Sequence, residues 1–400
     1  MDSALPTIRP THNGAGETHL AGNRSLLLRL ILAAQPITRS EIADRLGIDR
    51  STVTENVKPL IGSGILREDS ANFGGSRRQR VISFSAERDI FIGVNLGVRH
   101  SQVGVTTLEG KISDEEEFVT PDDPGKALLV VREKIEKLRA RYADKLLQII
   151  GVSVPGMTDA ARRRLLYAPN LGWREIDVAK NLQIDESTRV IVENDSTAAA
   201  LYEARRRTHI SAGGLMTNFI LVRSGTGIGV GLVIGGEVHR GTGTGRGVAG
   251  EFGHMTIAAG GKLCVCGNRG CWERYASASS AASLYLGDRP LRPGETAPRF
   301  VEIVSKAENG DTRASRTLEK IGDYLGIGIA NVIMGTGIPN VIISGRLVYG
   351  WKFMTGPLNA AIRRSIIGKT AGWSVEAGLP AGAAMGGALE VAINEYLNAI

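Results

Sequence analysis

All three cysteines of this 400-residue chain fall within eight residues, at Cys264, Cys266 and Cys271. They close the stretch GVAGEFGHMTIAAGGKLCVCGNRGCWE, which runs from Gly247 to Glu273, and His254 stands ten residues ahead of the first of them. Thiolates and imidazole are the ligands that Zn²⁺ prefers, and four of them make a closed tetrahedral site. Gly267 and Gly270 let the loop fold back on itself. A closed site keeps no ligand position for water, so it holds a loop in place and performs no hydrolysis. Three buried free cysteines and a core histidine are the bland alternative. Grouping every cysteine of the chain at metal-ligand spacing favours the metal.

Two carboxylates share this stretch. Glu251 precedes His254 by three residues and Glu273 follows Cys271 by two. A metal clamp would fix both, and fixed acceptors are what a polyhydroxylated ligand needs. GEFGH followed by CVCGNRGCWE resembles the zinc and sugar-binding segment of the ROK family (repressors, open reading frames, kinases). That resemblance implies a structural Zn²⁺ on His254, Cys264, Cys266 and Cys271. It also implies a sugar held by Asn170, Asn194, Asp195, Glu251, His254 and Glu273, with the histidine facing both.

The length points to two or more domains with a substantial core, since 42% of the residues are hydrophobic. Three cysteines at metal spacing argue against a secreted disulfide framework. Residues 1–20 contain no apolar signal core and read as a disordered lead-in. No uninterrupted apolar run approaches the length of a membrane span. The expectation is therefore a cytoplasmic protein, associated with the nucleoid and not with a membrane. A net charge of +7 permits nucleic-acid binding without establishing it. The runs Arg162–Arg164 and Arg205–Arg207 supply much of that excess, and such runs are usually solvated faces.

Residues 21–85 read as a winged helix-turn-helix. Leu26, Leu27, Leu30, Ile31 and Leu32 give one apolar helix face. In TRSEIADRLGIDRSTVTENVKPLIGSGIL, Ala43, Gly47 and Val53 take the small, turn and apolar positions that let two short helices approach. Asp49 is placed to cap the second helix through its carboxylate. That helix points Arg50, Ser51, Thr52, Thr54, Glu55 and Lys58 outward, groups suited to major-groove edges and phosphates. NFGGSRRQRVISF then reads as a hairpin wing turning at Gly74 and Gly75, from which Arg77, Arg78 and Arg80 could reach phosphates or a minor groove. This segment resembles the winged helix of ROK-family transcriptional regulators, and sugar kinases of the family lack it. A helical module that binds protein is the alternative.

Residues 89–400 resemble the actin-like, two-lobed sugar-binding domain of the family, an α/β fold. After two paired strands ending at Leu108, Glu109 and Gly110, residues Lys126 to Leu147 read as one amphipathic helix. Asn194 and Asp195 end a short buried strand, where α/β folds place their chemistry. By resemblance Asp195 would be the catalytic base if kinase activity were retained. Gly225, Thr226, Gly227 and Gly229 resemble the second phosphate loop, whose backbone N–H groups approach a phosphate. Two features oppose ATP and Mg²⁺. Asn95 stands where sugar kinases of this type carry a metal-directing carboxylate, and Ser344-Gly345-Arg346 offers one glycine where they often carry two. Thr197 also departs from the asparagine common in the family.

The implied function is a DNA-binding transcriptional regulator, a repressor of carbohydrate genes controlled by a sugar or sugar phosphate. A homodimer or homotetramer would read a palindromic double-stranded operator. An ATP-dependent sugar kinase carrying a DNA-binding head is the second reading.

Overall fold

The computed structural model describes residues 15–72, 78–85, 88–108, 111–210, 216–241, 249–287, 296–370 and 372–400. The chain divides after Ser85 into two compact units. The first contains α1 (Ala15–Ala34), β1 (Ile37–Thr38), α2 (Arg39–Leu46), α3 (Arg50–Gly62), β2 (Leu66–Asn72) and β3 (Arg78–Phe84). Helix α1 begins at Ala15, so part of the stretch read as a lead-in is helical, while residues 1–14 lie outside the described residues.

The caps of α2 explain its length. Thr38 and Glu41 bond reciprocally in a capping box, and Gly47 ends the helix at φ 63°. Asp49 departs from expectation. It sits at the N-cap of α3 with extended backbone, yet its carboxylate makes no capping bond. Residue type favours such a bond without compelling it, because an exposed carboxylate is equally well solvated by water. Val53, Val57 and Leu60 form the buried face of α3, matched by buried Leu27 and Ile31 on α1 and Ile42 on α2. Strands β1, β3 and β2 pair antiparallel in that order. The expected turn at Gly74 and Gly75 lies outside the described residues.

The second unit holds two five-stranded sheets. The first comprises β4 (Asp89–Asn95), β5 (His100–Thr106), β6 (Ile112–Val119), then, after α4 (Pro124–Arg141), β7 (Leu146–Val154). A small meander of β8 (Met157–Thr158), β9 (Leu165–Ala168) and β10 (Trp173–Ile176) follows, then α5 (Val178–Leu182), β11 (Arg189–Asn194) and α6 (Asp195–Ile210). The second sheet comprises β12 (Phe219–Ser224), β13 (Ile228–Ile234) and β14 (Glu237–His239). It continues beyond the helices α7 (Glu273–Ala276), α8 (Ser280–Leu286), α9 (Phe300–Glu308) and α10 (Thr312–Thr336) with β15 (Asn340–Gly345), α11 (Trp351–Arg364) and β16 (Ser374–Ala377). Helix α12 (Ala383–Ala399) ends the chain.

The strand orders are β6-β5-β4-β7-β11 and β14-β13-β12-β15-β16. Each is an antiparallel meander of three strands extended by two parallel ones. The two halves thus share a topology without a visible sequence repeat. Where two paired strands were expected after Asp89 there are three, because the acidic strand β6 pairs with β5 along its length. The expected helix over Lys126–Leu147 also stops early, at Arg141. Leu146 and Leu147 open β7 instead and pair with Asp89 and Ile90, since a parallel partner at the sheet centre outweighs helical periodicity.

Two glycines let the long helices α6 and α12 cross closely. A Cβ on Gly386 would lie 2.7 Å from the Tyr202 ring, and one on Gly387 would lie 2.8 Å from the backbone of Ala198. Overpacking of that kind costs about 1–3 kcal/mol. Among the described residues no helix is long and apolar enough to cross a membrane.

Candidate functional site

The cleft of the second unit is a cavity of about 460 Å³, within the usual range for a small polar ligand. The turns after β4 and after β12 occupy equivalent places in the two sheets, and both line it. Asn170, Asn194, Asp195, Glu251, His254 and Glu273 line it too.

The metal-ligand candidates converge. One donor atom from each of His254, Cys264, Cys266 and Cys271 lies within 4.8 Å of all the others. Cys266 Sγ is 3.7 Å from Cys271 Sγ, and Cys264 Sγ is 3.6 Å from His254 Nδ1. Zn–S bonds of about 2.3 Å in a tetrahedron place their sulfurs roughly 3.8 Å apart, so the cluster fits such an ion in both donor type and spacing. Gly267 and Gly270 adopt φ 92° and 79°, the left-handed turns by which the loop returns on itself. Burial pushes the thiols of Cys264 and Cys271 up. Thiolates at these positions therefore require a cation beside them.

The loop hands this order to the cleft. A short 3₁₀ turn, Glu251–His254, is pressed onto β13, where a Cβ on Gly253 would meet Ile228 O at 2.0 Å. His254 directs Nδ1 toward the sulfurs and Nε2 toward Glu251, whose Oε2 lies 3.9 Å away. A metal on Nδ1 would fix the tautomer with its proton on Nε2. Trp272, fully buried, donates from Nε1 to Tyr324 O at 2.9 Å and anchors the start of α7. Glu273 is thereby held in the cleft wall, with Oε1 3.7 Å from His254 Nδ1 and 3.0 Å from Cys264 Sγ. Burial is the chief cause that pushes the Glu251 carboxyl up; His254 opposes it, and Asp195 and Glu273 add to it.

Asn194 and Asp195 play different parts. The Asn194 side chain is committed to backbone: Nδ2 donates to Gly156 O at 3.0 Å, and Oδ1 accepts from the N–H groups of Ser196 and Thr197. It caps α6 and so positions the next residue. Asp195 projects from the first turn of α6 and lines the cleft. It pairs with Arg223, and Ser196 Oγ donates to its Oδ1 at 3.2 Å. Arg223 was not singled out from sequence, although a lone arginine in the apolar run FILVRS was the available signal.

The glycines of the β12–β13 turn and of the start of β13 have packing duties. A Cβ on Gly227 would lie 2.3 Å from Glu273 Oε2, and one on Gly229 only 1.8 Å from Ser196 Oγ. The N–H of Gly225 donates to Gly227 O within the turn, and the carbonyl of Thr226 accepts from Ser279 Oγ. Across the cleft Asn95 is equally engaged, donating to Gln102 Oε1 at 3.0 Å and accepting from Ser153 Oγ at 3.1 Å.

In the first unit Arg50, Ser51, Thr54, Glu55 and Lys58 are exposed on one face of α3, and Thr52 is half-buried. Thr54 Oγ1 donates back to Arg50 O at 2.9 Å, so its hydroxyl proton is already placed. On the wing, Arg80 is 76% exposed and lies 3.4 Å from Glu68, which also pairs with Arg39. Arg77 lies outside the described residues, and only the backbone of Arg78 is described.

Known proteins share both units. Residues 91–395 match the ROK family, and residues 22–69 match a helix-turn-helix domain. A xylose repressor of Bacillus spizizenii is 31% identical over 328 residues, covering 80% of this chain and 81% of that one. A crystal structure of a ROK family transcriptional regulator, a homolog of the E. coli MLC protein, superposes with a TM-score of 0.75 at 22% identity. It covers 95% of this chain and 97% of its own. A ROK family glucokinase from Streptomyces griseus, in complex with glucose and AMPPNP, gives 0.63 at 26% identity, covering 76% of this chain and 98% of the kinase.

Proposed function

The chain belongs to the ROK family, and on that footing we propose that its cleft senses a sugar and thereby controls a DNA-bound winged helix. It is a DNA-binding transcriptional regulator, a repressor of carbohydrate genes. One observation carries the choice over a kinase. In a chain that also bears a helix-turn-helix, the Mg²⁺-directing position is an amide, Asn95, held by Ser153 and Gln102. A neutral amide so tied offers no charge to a metal–nucleotide complex.

The sugar is held by Asn170, Asp195, Glu251, His254 and Glu273, while Asn194 sets the position of Asp195. Four ligands, His254, Cys264, Cys266 and Cys271, hold a Zn²⁺ whose role is structural. It fixes the loop presenting His254 and the two glutamates and supplies no reactive position. The effector is a pentose or hexose, with D-xylose the first candidate from the named relative. The regulator works in the cytoplasm at its operator as a homodimer or homotetramer, because two-fold symmetric heads match palindromic half-sites. A sugar releases DNA only if it binds one arrangement of the lobes more tightly than the other.

Purified protein incubated with sheared genomic DNA should retain discrete promoter fragments and release them with one sugar of a panel containing D-xylose, D-glucose and their phosphates. Uniform retention that ignores every sugar would refute the sensor. The kinase reading has its own test. Asp195 and the Gly225–Gly229 turn favour it, and ADP released from ATP by the same panel would establish it. The expected result is no release above the sugar-free blank.

A further inference from the structure

Arg223 has no part in the reading above. It stands next to the end of β12, whose other inward residues are apolar, in register with Gly229 on β13 and Ser344 on β15. Its guanidinium pairs with Oδ2 of Asp195, while Ser196 Oγ donates to Oδ1. Both carboxylate oxygens are therefore engaged by the chain itself. The two side chains are only 23% and 19% exposed, so water screens their attraction weakly. A guanidinium–carboxylate contact is also among the stronger hydrogen bonds a protein makes.

A sugar hydroxyl that donates to Asp195 approaches the same oxygens. Oδ1 is hemmed in by Ser196, which Gly229 admits to within van der Waals contact of the turn. A hydroxyl that donates to Oδ2 shares that oxygen with the guanidinium and so weakens its hold. We infer that Arg223 is an affinity-setting residue that competes with the effector for Asp195. The guanidinium holds the carboxylate until enough sugar is present to displace it, which weakens sugar binding and raises the concentration at which DNA is released. The inference rests on the reading that Asp195 accepts a hydroxyl from the sugar, and the two fail separately.

The test is calorimetric titration of the full-length, metal-loaded protein with D-xylose and with D-glucose, alongside Arg223→Met, Arg223→Lys and Asp195→Asn. Removing the competitor is expected to tighten binding of at least one sugar about tenfold, the scale of one hydrogen bond to a charged group. The sugar concentration for half-release of DNA should fall in parallel. Arg223→Lys, which restores a cation, should return affinity toward wild type, a recovery that a merely structural role for the side chain would not produce. Unchanged or weaker binding of both sugars by Arg223→Met, with undetectable binding counted as unchanged, overturns the competition. Arg223→Gln replaces the methionine variant if that one does not fold. Asp195→Asn with wild-type sugar affinity would instead remove Asp195 from the sugar site.

Discussion

Replacing Cys266 with serine is expected to release the metal and to raise the sugar concentration that releases DNA roughly 100-fold, while leaving sugar-free DNA binding nearly unchanged. Cys266 is the cleanest of the four positions for this purpose. It is half-buried and meets Cys271 at 3.7 Å, whereas Cys264 also lies against Glu273. A serine there keeps the size of the side chain but offers a hydroxyl, a poor ligand beside three better ones. Without the ion, the loop that carries His254 and ends at Glu273 loses the link that closes it. Two charge-assisted hydrogen bonds that sugar hydroxyls would donate to Glu251 and Glu273 would then lose their fixed geometry. At about 1.5 kcal/mol each, their loss weakens sugar binding roughly 100-fold. The loop's own unfolding also becomes easier, because metal binding and folding are linked. Metal content per chain, sugar titration and operator binding measured on one preparation check this. A variant that lost its metal yet released DNA at the wild-type sugar concentration would sever the loop from sensing.

The convergence of the four candidate ligands was legible in sequence because they lie within 18 residues of one another, from His254 to Cys271, so local chain geometry brings them together. Asn95 was picked out on residue type alone, as an amide at the end of β4 where the resemblance led to a carboxylate. Other features depended on partners far along the chain. The Arg223–Asp195 pair spans 28 positions, and nothing local to either residue announces it. Asn194 was read as a sugar contact, and its bonds to the carbonyl of Gly156 and the N–H groups of α6 depend on a partner 38 positions away and on the helix that follows. The runs at Arg162 and Arg205 looked like solvated faces. Several of these arginines in fact pair carboxylates: Arg162 reaches Glu395 at 2.7 Å, Arg205 reaches Glu390 at 2.9 Å, and Arg207 contacts Glu203 and Glu376. These paired arginines are thus tied into the second unit and are not free for phosphates.

For that unit the expected result is a double variant, Arg50→Ala with Lys58→Ala, that binds operator weakly and with a shallower salt dependence. Both side chains are exposed on one face of α3, eight residues apart, with Ser51, Thr54 and Glu55 between them on the same face. Cations at the two ends of a recognition helix suit the phosphates that flank a major groove, leaving the short polar groups between them for base edges. Each phosphate left without its cation should lower the slope of log affinity against log salt by about 0.9, so the pair together should lower it by roughly two. Glu55→Gln makes the contrasting case. It should leave that slope nearly unaltered and instead relax the preference for one base pair, worth about 1–3 kcal/mol. Arg80→Ala should behave like the two cation variants, because Glu68 holds Arg80 along the wing without burying it. Glu68→Ala should loosen its aim, while the Thr38–Glu41 capping box still starts α2. Fluorescence anisotropy of a labelled operator across a salt series separates these effects. If the double variant bound operator with the wild-type slope, α3 would not be the element that faces the phosphates, and a winged helix that docks on protein would become the better account of this unit.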